Sequence, residues 1–177
     1  MPRVDCAVQV KGGQQVKDLS KAIKQLTDPK QKAKLQREMN QGIRKAAEPL
    51  LTDLRRTIRT MPVKGDRRAY GHLRVKKRNR IASATVLQIR RGEKESGIRV
   101  IVDRRRLGRT ERALPFLLER GQWRHPVHGN REEWVTQKSP IGPWFAPAVR
   151  RHEDAMTRAV TQVLNQVAAK LKGVARG

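Results

Sequence analysis

Apolar residues recur at helical spacing in two long stretches, and no other feature of this chain restricts its fold as much. Leu35, Met39, Ile43, Ala46, Leu50, Leu54 and Ile58 fall on one face of a predicted helix. Val149, Met156, Val160, Val163, Val167, Leu171 and Val174 form a second stripe near the C-terminus. Each stripe is a single seam, and a helix with one apolar seam is stable only when something covers it. The two helices are therefore expected to cover each other, with Leu50, Leu54, Val160 and Val163 in one core. Asp28 and Pro29 stand where the first long helix should begin, as N-cap and first helical residue. Pro49 lies inside the stripe and predicts a kink rather than a break. Lys32, Arg37, Arg44, Glu48 and Arg55 occupy the opposite, solvated face.

The remaining elements are shorter. Val4, Cys6, Val8 and Val10 alternate with Arg3, Asp5, Ala7 and Gln9, the period of a half-buried strand ended by Gly12-Gly13. Val16, Leu19, Ile23 and Leu26 return to helical spacing. Met61-Pro62 closes the long helix, and Gly65 and Gly71 bracket a loop. Ile81 to Ile89 alternates and predicts a strand, joined through Gly92–Gly97 to a second strand over Ile98–Val102. Leu114 to Leu118 is a short apolar segment. The expected fold is one α+β domain over 1–177, two long helices on a small, mostly antiparallel sheet. Its parts are a strand and long kinked helix over 1–62, a basic hairpin region over 63–118, a Trp-rich loop over 119–148 and a C-terminal helix over 149–175.

That loop is the odd segment. All three Trp, two of the four His and four of the nine Pro lie between Glu119 and Val149. Pro126, Pro140, Pro143 and Pro147, with Gly121, Gly129 and Gly142, exclude a long helix and predict a succession of turns. Loops of such length inside compact domains are usually functional. Trp combines a large apolar face with a polar N–H, as protein interfaces favour. Trp123, His125, Trp134 and Trp144 are therefore expected to divide between anchoring the segment and contacting another chain.

Charge sets the partner class. Net charge is +25, from 41 basic and 16 acidic residues, which points to a polyanion or an acidic protein surface. Between Arg55 and Arg112 there are 20 basic and 5 acidic residues. The densest parts are Arg74, Lys76, Lys77, Arg78 and Arg80, then Arg104, Arg105 and Arg106, both runs expected at strand ends. Only Tyr70 sits among these cations, so a base-stacking platform for single strands is not expected, and contact with DNA would be to the backbone. Catalysis finds little support. His125-x-x-His128 lacks further ligands at a recognised spacing, Glu132 and Glu133 are sequence neighbours that usually point apart, and no phosphate-cradling glycine loop or G-x-S-x-G elbow occurs. No catalytic residue, metal or cofactor is expected. Cys6 is the only cysteine, so no intrachain disulfide can form, and no apolar run approaches membrane-spanning length. Synthesis in a cytoplasm is expected.

The motifs resemble a family. Met61-Pro62-Val63-Lys64 followed by Gly71-His72-Leu73-Arg74 is similar to the A-P-V-x-T-G-x-L-R pattern that ends a long helix in the head–tail connection, neck or tail-completion proteins of long-tailed bacteriophages. Residues Gly65 to Tyr70 are extra relative to that pattern. Glu119-Arg120-Gly121-Gln122-Trp123-Arg124-His125-Pro126 resembles the family's E-x-G-x-x-x-H-P segment. His125-Pro126-Val127-His128-Gly129-Asn130-Arg131-Glu132-Glu133-Trp134-Val135-Thr136-Gln137, then Trp144-Phe145-Ala146-Pro147-Ala148-Val149, resembles the version in phages of actinobacteria, with His128 where an aromatic is common. The resemblance runs from about Leu35 onward. It implies a non-enzymatic virion protein at the head–tail junction, a homo-oligomeric ring around the DNA channel. Its implied partners are a portal-side adaptor or stopper, a tail terminator or tail tube, and packaged DNA met without sequence preference. The competing expectation from composition is a basic nucleic-acid-binding protein, such as one packed on structural RNA.

Overall fold

The structure is a computed structural model. It describes residues 6–10, 13–61, 71–91, 96–127, 130–139 and 141–174, and within them not the side chains of 7–10, 71–76, 91, 96, 110, 125 and 127. The chain folds as β1 (Ala7–Val10), α1 (Gly13–Gln25), α2 (Pro29–Thr60), α3 (Gly71–Ala84), β2 (Thr85–Arg91), β3 (Ser96–Val102), α4 (Leu114–Arg120), β4 (Gln122–Val127), β5 (Asn130–Lys138) and α5 (Phe145–Val174). Two single 3-10 turns, Arg104–Arg106 and Arg109–Glu111, lie between β3 and α4. The fold is α+β, dominated by the two long helices.

One sheet has the strand order β1–β3–β2, and β4 pairs with β5 alone. Only four residues separate β2 from β3, too few for a crossover, so that pair is antiparallel. The chain divides into two compact units and passes from one to the other inside β1, α2, β2, β3 and α5. One unit comprises 1–7, 52–86 and 101–150, and the other 8–51, 87–100 and 151–177.

The second unit is built on the two seams. Asp28 caps α2 as expected: its side chain accepts from Lys30 N–H at 2.8 Å and its carbonyl from Lys32 N–H at 3.1 Å. Leu35, Met39, Ile43, Ala47 and Leu50 are buried on α2, and Met156, Val160, Leu164 and Val167 on α5. Here the seam of α5 turns slightly from its expected line. Leu164 is fully buried, whereas Val163 is half-buried and packs at Gly42, where a Cβ would stand 2.5 Å from Val163 Cγ1. Gly42 thus lets the two backbones approach. Helix α2 continues through Pro49, which is exposed and leaves one carbonyl of the preceding turn without its usual donor. At the far end Lys170 reaches Glu38 at 2.7 Å, and this bond from the ammonium holds the Glu38 carboxyl below its ordinary range.

The first unit holds Leu54, Ile58, Met61, Ile81, Ala82, Ala84, Val102, Leu107, Leu118, Trp144, Phe145, Ala148 and Val149 in its interior. Two expectations are corrected there. Ile81 to Ala84 is not strand but the last turn of α3, with Thr85 Oγ1 donating to the Ile81 carbonyl at 3.0 Å where helix changes to strand. Ala82 and Ala84 favour helix and are poor strand formers, and the apolar alternation there was shallow on both faces. The basic run Arg74–Arg80 therefore lies on a helix rather than at a strand end. The second correction concerns 119–148, most of which is a helical turn and an antiparallel ribbon rather than a loop. Gln122 pairs with Lys138, Trp123 with Gln137, Arg124 with Thr136, His125 with Val135 and Pro126 with Trp134, before an irregularity at Val127. Pro126 is tolerated because a two-stranded ribbon consists only of edges.

Candidate functional site

The ribbon is rooted by a buried carboxylate. Glu119, in the last turn of α4 and only 8% exposed, accepts the backbone N–H of Trp144 at 2.9 Å, Phe145 at 2.6 Å and Ala146 at 3.0 Å. Those N–H groups open α5, where a helix has no acceptors of its own and carries partial positive charge. A carboxylate from 25 residues upstream thus caps α5 from outside it. Gly121 ends α4 in the left-handed region at φ 79°, which glycine adopts without strain, and turns the chain into β4. Ser139 N–H returns to the Gly121 carbonyl at 2.7 Å, so the two ends of the ribbon are pinned together. Trp144, 1% exposed, donates its indole N–H to the Pro115 carbonyl at 3.2 Å and meets Phe145 edge-on.

Beyond that root the ribbon enters solvent. All nine residues of β5 are exposed. Trp134 is 47% and Val135 42% exposed, and because they are adjacent in a strand they occupy opposite faces. Trp134 shares its face with Arg124, whose guanidinium lies 5.9 Å from the ring centroid, and donates its indole N–H to the Arg131 carbonyl at 2.7 Å. Trp123, half-buried, lies on the other face, paired with Gln137.

The four predicted interface residues therefore separate. Trp144 is removed from the set, since a ring 1% exposed is an anchor and cannot meet another chain. Trp134 is presented outward, Trp123 is partly so, and the side chain of His125 lies outside the described residues, as does His128. Sequence reading gave Glu119 no role beyond its place in the E-x-G motif, because the N–H groups it accepts lie 25 or more residues away.

A second surface gathers the cations. Asp103 N–H donates to the Ala84 carbonyl at 2.8 Å and sets the Arg104–Arg106 turn against the end of α3. Arg80 of α3 donates to Glu111 at 2.9 Å, bringing in the Arg109–Glu111 turn. The two Arg-rich runs, 24 residues apart between Arg80 and Arg104, thus adjoin. Within them Arg105 holds the Asp103 carboxylate through Nε at 3.1 Å and Nη2 at 3.4 Å, and Arg106 stands 3.7 Å from it. The hydrogen bond from Arg105 keeps the Asp103 carboxyl below its ordinary value and raises the guanidinium above its own. Arg104 lies over Phe116 at 5.4 Å. Lys77 is exposed, whereas Arg78 turns inward to donate to the Met61 carbonyl and serves the fold. The side chains of Arg74 and Lys76 lie outside the described residues.

Among the described residues no three His, Cys, Asp or Glu side chains are grouped as metal ligands, and no helix is long and apolar enough to cross a membrane. The chain matches no family model, no curated protein and no solved structure.

Proposed function

We propose that this chain is a structural subunit of a tailed-phage head–tail junction, a neck, connector or tail-completion protein that assembles as a ring around the DNA channel in the virion. The observation that carries the reading is the β4–β5 ribbon, exposed along the whole of β5 with Trp134 on one face and Val135 on the other. An isolated two-stranded ribbon is marginally stable in water, and solvated apolar side chains on both its faces gain by being covered. Exposed aromatic residues of this kind are enriched where proteins meet. A ring of identical subunits uses such an arm once per copy: each gives its ribbon to the next and receives one in turn. The resemblance of 119–149 to the junction proteins supports the same reading, because Glu119, Gly121 and Trp144 of that motif build the root from which the ribbon extends.

The test replaces Trp134 with Ala and follows melting temperature and assembled mass, alone and with neighbouring virion proteins. Trp134 is 47% exposed, with its indole N–H on the Arg131 carbonyl of its own strand and Arg124 beside its ring, so its loss should remove about 1 kcal/mol or less from the monomer. Loss of assembly with an unchanged melting temperature is expected. Lowered melting with normal assembly would make the ring an anchor and remove the ribbon from the interface.

A further inference from the structure

We infer that the surface formed by the C-terminal half of α3 with the Arg104–Arg106 and Arg109–Glu111 turns is a binding site for the phosphate backbone of duplex DNA. Its role as lining of the DNA passage rests on the ring reading, while the site itself rests on the following geometry.

Lys77, Arg80, Arg104, Arg105, Arg106 and Arg109 are all exposed and come from three elements joined at Ala84–Asp103 and Arg80–Glu111. Asp103 and Glu111 are the only carboxylates on those elements, and both are engaged by arginines of the same surface. Among the described residues of these elements, six cations against two carboxylates leave a net positive field.

The side-chain types narrow the ligand. Five of the six are Arg, whose planar fork matches phosphate oxygens two at a time. Arg105 is held along one edge by Asp103 and Arg104 is laid on Phe116, so part of their rotamer entropy is already lost before a ligand arrives. A protein partner fits this surface poorly. Interface cores are depleted of charge and centred on buried apolar anchors. The exposed large apolar residues among those described, Trp134, Val135 and Ile141, all belong to other segments. A single strand fits poorly as well, because among the described residues the aromatic ring at this surface, Phe116, lies beneath Arg104 and is not presented to bases. What remains is a regular line of phosphates on a stiff duplex, bound without base readout.

The experiment titrates a labelled, mixed-sequence DNA duplex with the purified chain over a series of salt concentrations. It compares wild type with Arg104→Gln/Arg105→Gln/Arg106→Gln, and with Lys21→Gln/Lys30→Gln/Lys34→Gln, which removes the same charge from exposed positions on α1 and α2. Each lost phosphate contact lowers the slope of log affinity against log salt by about 0.9. The arginine variant should therefore lose about two to three from that slope, and the lysine variant nothing beyond error. If the arginine variant proves unfolded by circular dichroism, Lys77→Gln/Arg109→Gln replaces it, with an expected loss of about one to two. Equal loss in arginine and lysine variants would overturn the site, since binding would then follow overall charge. Preference for single strands, or competition by poly-glutamate as effective as by unlabelled duplex, would overturn the ligand. Assembled mass is recorded on the same samples. Duplex binding through this surface without ring formation refutes only the ring, and rings without localised duplex binding refute only this site.

Discussion

Replacing Glu119 with Ala removes the one acceptor shared by three backbone N–H groups at the start of α5. Trp144 and Phe145 are buried, so water cannot take over their two donors, whereas Ala146 is half-buried and regains a water partner. Each buried donor left without an acceptor costs about 1–3 kcal/mol, which sets the expected loss at about 2–6 kcal/mol. Set against a typical total of about 5–15 kcal/mol, that is a large fraction. For a chain of 177 residues, 1 kcal/mol corresponds to about 2–4 °C in Tm, so melting should fall by roughly 5–20 °C. Glu119→Gln keeps one carbonyl oxygen but turns an amide N–H₂ toward backbone donors, and should fall between wild type and Ala. Thermal unfolding followed by near-ultraviolet circular dichroism is the apt assay, since Trp144 sits directly over the lost contacts and donates to Pro115. An Ala variant melting within about 2 °C of wild type would refute the reasoning, because the opening N–H groups of α5 would then have another acceptor.

Three further outcomes are expected. Val160→Asp places a carboxylate at a fully buried position of the α5 seam and should cost several kcal/mol, read as loss of cooperative melting. Gly42→Ala drives a Cβ to 2.5 Å from Val163 Cγ1 and should destabilise by about 1–3 kcal/mol despite alanine's better helix propensity, with Val163→Ala restoring most of the loss in the double variant. Asp103 has a folded carboxyl value lowered by Arg105, so its contribution is present above the unfolded value near 4 and is lost as pH falls through the folded one. Between about pH 5 and pH 2, melting of wild type should therefore fall more steeply than that of Asp103→Asn.

How much of this was legible in the sequence depended on whether an element buries one face. Helices α2 and α5 do, and their seams, the Asp28 cap and the start at Pro29 were readable because 3.6-residue periodicity records one-sided burial. Helix α3 was read as loop and strand because its C-terminal half packs through Ile81, Ala82 and Ala84 among cations, too short a pattern to give a period. The β4–β5 ribbon was invisible for the opposite reason. With every residue of β5 exposed, neither face is selected for apolar side chains, and alternation has nothing to record. Glu119 was missed because its role is non-local. Only the fold brings α4's last turn to the first N–H groups of α5, and a lone Glu two residues before a Gly does not state its acceptor duty.

The distribution of these features between the two units bears on what the chain is for. The unit of 8–51, 87–100 and 151–177 holds the close helix contact at Gly42 and the Lys170–Glu38 ion pair, devices that concern its own packing. The outward Trp134, the exposed ribbon and the Arg-rich turns all fall in the other unit. That unit also invests its buried polar contacts in fixing these surfaces. Glu119 and Gly121 root the ribbon, Arg80–Glu111 and Asp103 set the basic turns, Arg78 ties α3 to the Met61 carbonyl, and Arg55 of α2 donates to the Thr85 carbonyl at the start of β2. A solvated arm and an uncompensated cation surface both work against the stability of an isolated chain, one by exposing apolar area and the other by self-repulsion. Internal bonds that hold both in fixed geometry lower the ordering cost of a later contact. Such an arrangement fits a subunit whose low-energy state is the assembly, with protein against the ribbon and phosphate against the arginines.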